Sequence, residues 1–197
     1  MRTLAKTAFA LLSISLLAVA SSGDKTFQAG PPIDYAHQAS EHVVIGAKPF
    51  DSFDLTKPVF GKKADLNRYG ILPVLLVIEN DRQETIDLED LQVSLESEHG
   101  GSVTSLDPNH VAFISMPPKR PEMAPSRIPH SHKNPLNGPE LYERAFTARV
   151  LPPGERASGF FYFQANPQPG LRLYISGIVE RPSGKEMLYF EIPLTKE

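Results

Sequence analysis

From residue 41 onward, apolar and polar positions follow the alternation of half-buried β-strands, interrupted by turn residues. Leu91, Val93 and Leu95 alternate with Gln92, Ser94 and Glu96, which puts one face in a core and one in water. Leu171, Leu173 and Ile175 alternate in the same way with Arg172, Tyr174 and Ser176. Leu188, Phe190, Ile192 and Leu194 alternate with Met187, Tyr189 and Glu191. With Pro182-Ser183-Gly184 between them, these last two stretches predict a hairpin. Residues 72–78 do not alternate; their unbroken apolar run predicts a central strand, with Pro73 near its start, where a missing N–H does least harm. Residues 158–164 carry Phe160, Phe161, Tyr162 and Phe163, a strongly β-favouring run that reads as core.

Shorter runs at 42–45, 111–116 and 145–151 read as further strands. Two of them admit a helical alternative. Asp107-Pro108 could cap a helical turn, with Asp at N-cap and Pro at the first helical position. Leu141, Ala145 and Ala148 could share a helical face within 139–149. Turn chemistry separates the runs: Asn80-Asp81-Arg82-Gln83, then Pro152-Pro153-Gly154, which suits a type II turn, then Pro167-Gln168-Pro169-Gly170. About seven to nine short strands with little helix predict an all-β, immunoglobulin-like Greek-key β-sandwich over residues 41–197.

Two stretches break this grammar. Residues 21–40 are rich in Ser, Gly, Pro and Gln and read as a flexible lead-in. Residues 117–139 hold seven prolines, which forbid helix and ladder alike and predict a proline-rich surface loop. Lys119, Arg120, Arg127 and Lys133 face the single Glu122 there, so this basic loop is a candidate partner contact.

The N-terminus has the layout of a secretory signal. Arg2 and Lys6 precede an apolar run over 8–20 that ends in Ala18-Val19-Ala20. That run is shorter than the roughly 20 residues of a transmembrane helix, so cleavage is expected over anchoring. The 177 residues that follow suit one domain, with 18 basic against 23 acidic side chains. This charge gives no reason to expect nucleic acid as a partner. The chain has no cysteine, which excludes disulfides, thiol catalysis, thiolate metal sites and a lipidated N-terminal Cys. An exported chain without disulfides points to a bacterial, periplasmic or extracellular protein.

One constellation suggests a metal. His130 and His132 lie on one side of an extended segment, with Met116 and Met123 upstream. Imidazole and thioether together suit copper, and the histidines alone could take zinc. For nucleophilic catalysis there is no G-x-S-x-G elbow, S-x-x-K set or H-E-x-x-H. Ser158-Gly159 sits at a strand start and reads as structural; the acids of Glu79-Asn80-Asp81 and of residues 84–87 read as solvated turn residues.

Leu151-Pro152-Pro153-Gly154-x4-Gly159-Phe160-x2-Phe163, the ending Tyr189-Phe190-x-Ile192-Pro193-Leu194, and Tyr69-Gly-Ile-Leu-Pro-Val-x3-Ile-Glu-Asn80 together resemble uncharacterised exported bacterial proteins with an immunoglobulin-like sandwich. The resemblance implies a fold and an envelope or extracellular location, and brings no catalytic residues. The expected function is a non-catalytic binding or structural module of the cell envelope, contacting an envelope or extracellular protein. The alternatives are a periplasmic copper- or zinc-binding protein and a hydrolase with an unrecognised site. Calorimetric titration with Cu(I), Cu(II) and Zn(II) checks the metal reading: binding should vanish when Met116, Met123, His130 and His132 are all changed to Ala.

Overall fold

The computed structural model describes residues 27–98, 100–114, 136 and 138–194. The described residues are mostly β. The strands are β1 (Ala36–Ser40), β2 (Val43–Pro49), β3 (Ile71–Asn80), β4 (Ile86–Asp87), β5 (Gln92–Glu96), β6 (Ser102–Thr104), β7 (Val150–Leu151), β8 (Arg156–Gln164), β9 (Arg172–Ser176), β10 (Val179–Glu180) and β11 (Phe190–Pro193). The helices are short: α1 (Phe53–Phe60), α2 (Pro108–Val111) and α3 (Pro139–Glu143). Two four-stranded antiparallel sheets, in the orders β1-β2-β3-β8 and β11-β9-β5-β6, pack face to face in a sandwich-like arrangement. A small antiparallel sheet, β10-β4-β7, adds a third layer of pairing. No helix among the described residues is long and apolar enough to cross a membrane.

The unbroken apolar character of β3 has a simple cause: both of its faces are covered. Leu72, Val74, Leu76 and Ile78 face the opposing sheet and meet Val93, Leu95, Leu173, Ile175, Phe190 and Ile192. Ile71, Leu75 and Val77 face the other way, beside Phe160 and Tyr162 of β8. That back face is roofed by Val59 and Phe60 of α1, by Leu66, and by Val111, Leu136 and Leu141. Each such aliphatic side chain contributes about 1.5–3 kcal/mol through burial. Phe160 anchors the back layer, with its ring 4.9 Å from those of both Phe50 and Phe60.

Pro73 interrupts the β2–β3 ladder in a way the neighbourhood repairs. Phe50 N–H donates to Pro73 O at 2.8 Å, but Pro73 has no N–H to return the bond. The Asn67 side-chain amide donates to Phe50 O at 3.0 Å instead. At the other end of β3, the buried Asn80 is a junction. Its amide group donates to Glu84 O and Leu151 O, its Oδ1 accepts from Arg82 N–H, and its carbonyl accepts from Gly154 N–H. Pro152-Pro153-Gly154-Glu155 forms the expected turn, with Gly154 at φ +71°.

Several expectations are corrected. Residues 27–40, expected as part of a flexible lead-in, are built into the fold. Pro32 is buried and β1 pairs along its length with β2. The reason lies in another strand: a Cβ on Gly46 would meet Pro32 backbone atoms at 2.3–2.9 Å, so only glycine lets this segment lie on β2. The apolar run at 111–116 is not a strand where it is described; Asp107 caps α2, accepting from Asn109 N–H at 2.7 Å. Within 139–149 the helix is only α3; Ala145 makes an isolated bridge to Phe160, and the next regular strand begins at Val150. The proline-rich loop ends earlier than residue 139, because Leu136 is fully buried in the back layer and Pro139 opens α3. The alternation near the C-terminus shifts phase: Met187 is buried and Leu188 is 68% exposed. Helix α1, which carries Pro58, was not anticipated at all.

Gly46→Ala should destabilise the protein by about 1–3 kcal/mol, as forced overpacking does. Chemical denaturation checks this, and protease cleavage within residues 27–35 should rise in parallel.

Candidate functional site

Strand β8 is the edge of its sheet, and its outward backbone groups are only partly covered. Phe160 N–H donates to Arg144 O at 2.8 Å, and Phe146 N–H donates to Phe160 O at 3.1 Å. Leu106 N–H donates to Tyr162 O at 2.7 Å. The 144–146 segment can lie this close because residue 159 is glycine; a Cβ there would fall 2.4 Å from Phe146 Cα. Since Phe160 and Tyr162 present their backbone outward, the two-residue period puts the Ser158 N–H and C=O on the same edge. Nothing in the described chain pairs with them.

A solvent-open pocket of about 490 Å³ opens at this gap. Leu75 and Phe160 form its apolar floor; Arg144, Arg156, Ser158 and Glu143 supply its polar wall. Arg156 is held from behind, with its Nε 3.3 Å from Glu79 Oε2. Arg144 is not: its Nε is buried and meets no hydrogen-bond acceptor among the described residues. The Arg144 charge reaches Tyr162, whose phenol burial nonetheless pushes far above its ordinary range. Tyr162 therefore stays protonated and donates to Leu141 O at 2.8 Å, fixing α3 behind Arg144.

A second polar cluster ties the sheets together. The two-residue turn joining β1 and β2 places Glu41 at φ +47° and His42 at φ +61°, a left-handed pair usually left to Asn and Gly. Arg82 steadies it by donating to Glu41 O at 2.8 Å and reaching Glu180 Oε2 at 3.1 Å. Lys185 Nζ lies 3.0 Å from Glu41 Oε2. Every charge in this cluster is answered by another, so its chemistry is structural. The acidic turn residues behave likewise: Glu79 meets Arg156, Glu84 meets Arg82 and Asp87 meets Arg181.

The metal candidates Met116, Met123, His130 and His132 lie outside the described residues, as do the contact candidates Lys119, Arg120, Arg127 and Lys133. Among the described residues, no group of three or more His, Asp or Glu is gathered to hold a metal ion. Sequence reasoning passed over Arg144 and Arg156 and took Ser158 as structural. One signal was available: Ser158 is in phase with Phe160 and Tyr162 on a core-facing strand, a polar residue where the pattern asks for an apolar one.

No sequence-family model matches the chain, and no curated protein sequence does. Three crystal structures share a weak likeness. The yjhA protein of Bacillus subtilis is 10% identical with a TM-score of 0.39, over 71% of this chain and 78% of that one. The ycdA protein of Bacillus subtilis is 10% identical with a TM-score of 0.40, over 81% of this chain and 38% of that one. The secreted protein MPT63 of Mycobacterium tuberculosis is 13% identical with a TM-score of 0.37, over 82% of this chain and 95% of that one. Scores of this size show neither a shared family nor a shared function.

The structural ion pairs predict an acid limb. The hydrogen bond from Lys185 holds the Glu41 carboxyl below its ordinary range, and the Glu89 N–H followed by Arg181 does so for Asp87. A lowered folded-state pKa contributes stability above the unfolded value and loses it as pH falls through the folded one. Thermal stability should therefore fall below about pH 4. The double variant Glu41→Gln, Asp87→Asn should melt earlier at neutral pH and show a flatter acid limb.

Proposed function

We propose that this chain is an exported, non-catalytic binding module on an immunoglobulin-like Greek-key sandwich, working in the cell envelope or outside it. The N-terminal signal pattern of residues 1–20 supports export. The observation that carries the binding role is the Arg144 pocket: a guanidinium with a buried Nε and no acceptor among the described residues, facing a solvent-open cavity. A buried donor without a partner costs about 1–3 kcal/mol, and a bound acceptor recovers it. The basic stretch around Lys119, Arg120, Arg127 and Lys133 is a second contact in this reading.

Incubation of the full-length chain with a water-soluble envelope extract, followed by mass spectrometry of retained solutes, tests the role. Wild type should retain solutes of unaltered mass, and Arg144→Gln should retain far less at an unchanged melting temperature. Covalently altered solutes, or retention independent of Arg144, would overturn it. A trimmed deletion of residues 117–134, which spares Leu136, should leave folding intact and show what the basic stretch adds.

A further inference from the structure

We infer that the pocket takes the C-terminal carboxylate of an extended peptide laid in parallel along the free edge of β8. The inference rests on the binding-module reading and names its ligand class.

The chain itself draws the line along which such a peptide would run. Ala145 bridges Phe160 in the parallel sense, the one parallel pairing among the described bridges. The chain reaches Ala145 from α3 rather than along β8, and no described residue makes a backbone hydrogen bond in the row beside Ser158 and Arg156. An added strand would find the outward Ser158 N–H and C=O as ladder partners, the mode by which exposed sheet edges accept peptides. It could not continue past Phe160, whose N–H and C=O are already taken by Arg144 O and Phe146 N–H. A peptide running parallel to β8 therefore meets this stop with its C-terminus, and Arg144 stands at the stop.

Charge selects the end group. Arg156 is already opposed by Glu79, and Glu143 sits on the pocket wall. The Arg144 guanidinium has no ion pair among the described residues. One carboxylate matches it and can accept from its planar fork in two bonds. A phosphate dianion would bring a second charge against Glu143 and Glu79. The cavity, about 490 Å³, falls within the ordinary range of ligand sites of roughly 300–1,000 Å³.

The test follows the Arg144 Nε–H and the Ser158 amide by NMR in the full-length chain. The probes are an equimolar mixture of N-acetylated tripeptides with free C-termini, the same mixture amidated at the C-terminus, and inorganic phosphate. The free-carboxylate mixture should move both resonances saturably, with apparent affinity at least tenfold above that of the amides. Arg144→Gln should lose this preference while its amide spectrum stays native, and Arg144→Lys should keep the charge but bind more weakly. Equal binding of the amides, tighter binding of phosphate, or an Arg144 resonance unmoved by the carboxylates would overturn the inference. Binding of amides or phosphate at Arg144 would still leave a binding module; release of cleaved peptide would remove that reading instead.

Discussion

The fold turns on the need to cover both faces of β3. A strand reading Ile-Leu-Pro-Val-Leu-Leu-Val-Ile cannot leave either face in water, and the molecule answers with two unlike layers. The front layer is a second sheet, whose strands alternate in the usual way. The back layer is assembled from short pieces: α1, the turn around Leu66, α2, Leu136 and α3. None of these pieces is long enough to be stable alone, so each depends on the apolar surface it roofs.

A roof built from pieces has edges, and the pocket lies at one of them. Where α3 gives way to residues 144–146 the chain joins the β8 edge, and just before that point the edge has no backbone partner among the described residues. Arg144 is placed by backbone hydrogen bonding to Phe160, while its buried Nε meets no acceptor among the described residues. The same local geometry therefore closes part of the sheet edge and opens a solvent-open cavity beside it.

The strands were legible because their side chains obey a period of two, and the double-sided β3 because it does not. The Asp107 cap and the Pro152-Pro153-Gly154 turn were legible because they are local chemistry. The ordered segment 27–40 was not, since its place depends on Gly46 in a different strand. Helix α1 was hidden by Pro58, a poor helix residue tolerated because Val59 and Phe60 are buried against β3 and β8. The pocket was the least legible element: Arg144 and Ser158 are brought together by an edge contact, and neither has sequence neighbours that announce a site. The eight side chains that the sequence did single out fall outside the described residues.

The hydrogen bond from the buried Asn80 amide to Leu151 O joins positions 71 residues apart. Everything between them, including β5, β6, α2 and α3, is thereby a closed excursion whose ends are pinned at one point. Closure entropy grows only logarithmically with contour length, at about 0.6 kcal/mol for each doubling. A change of contour within that excursion costs little closure entropy, while the Asn80 junction holds the end of β3 to β7 and to the turn that follows β3.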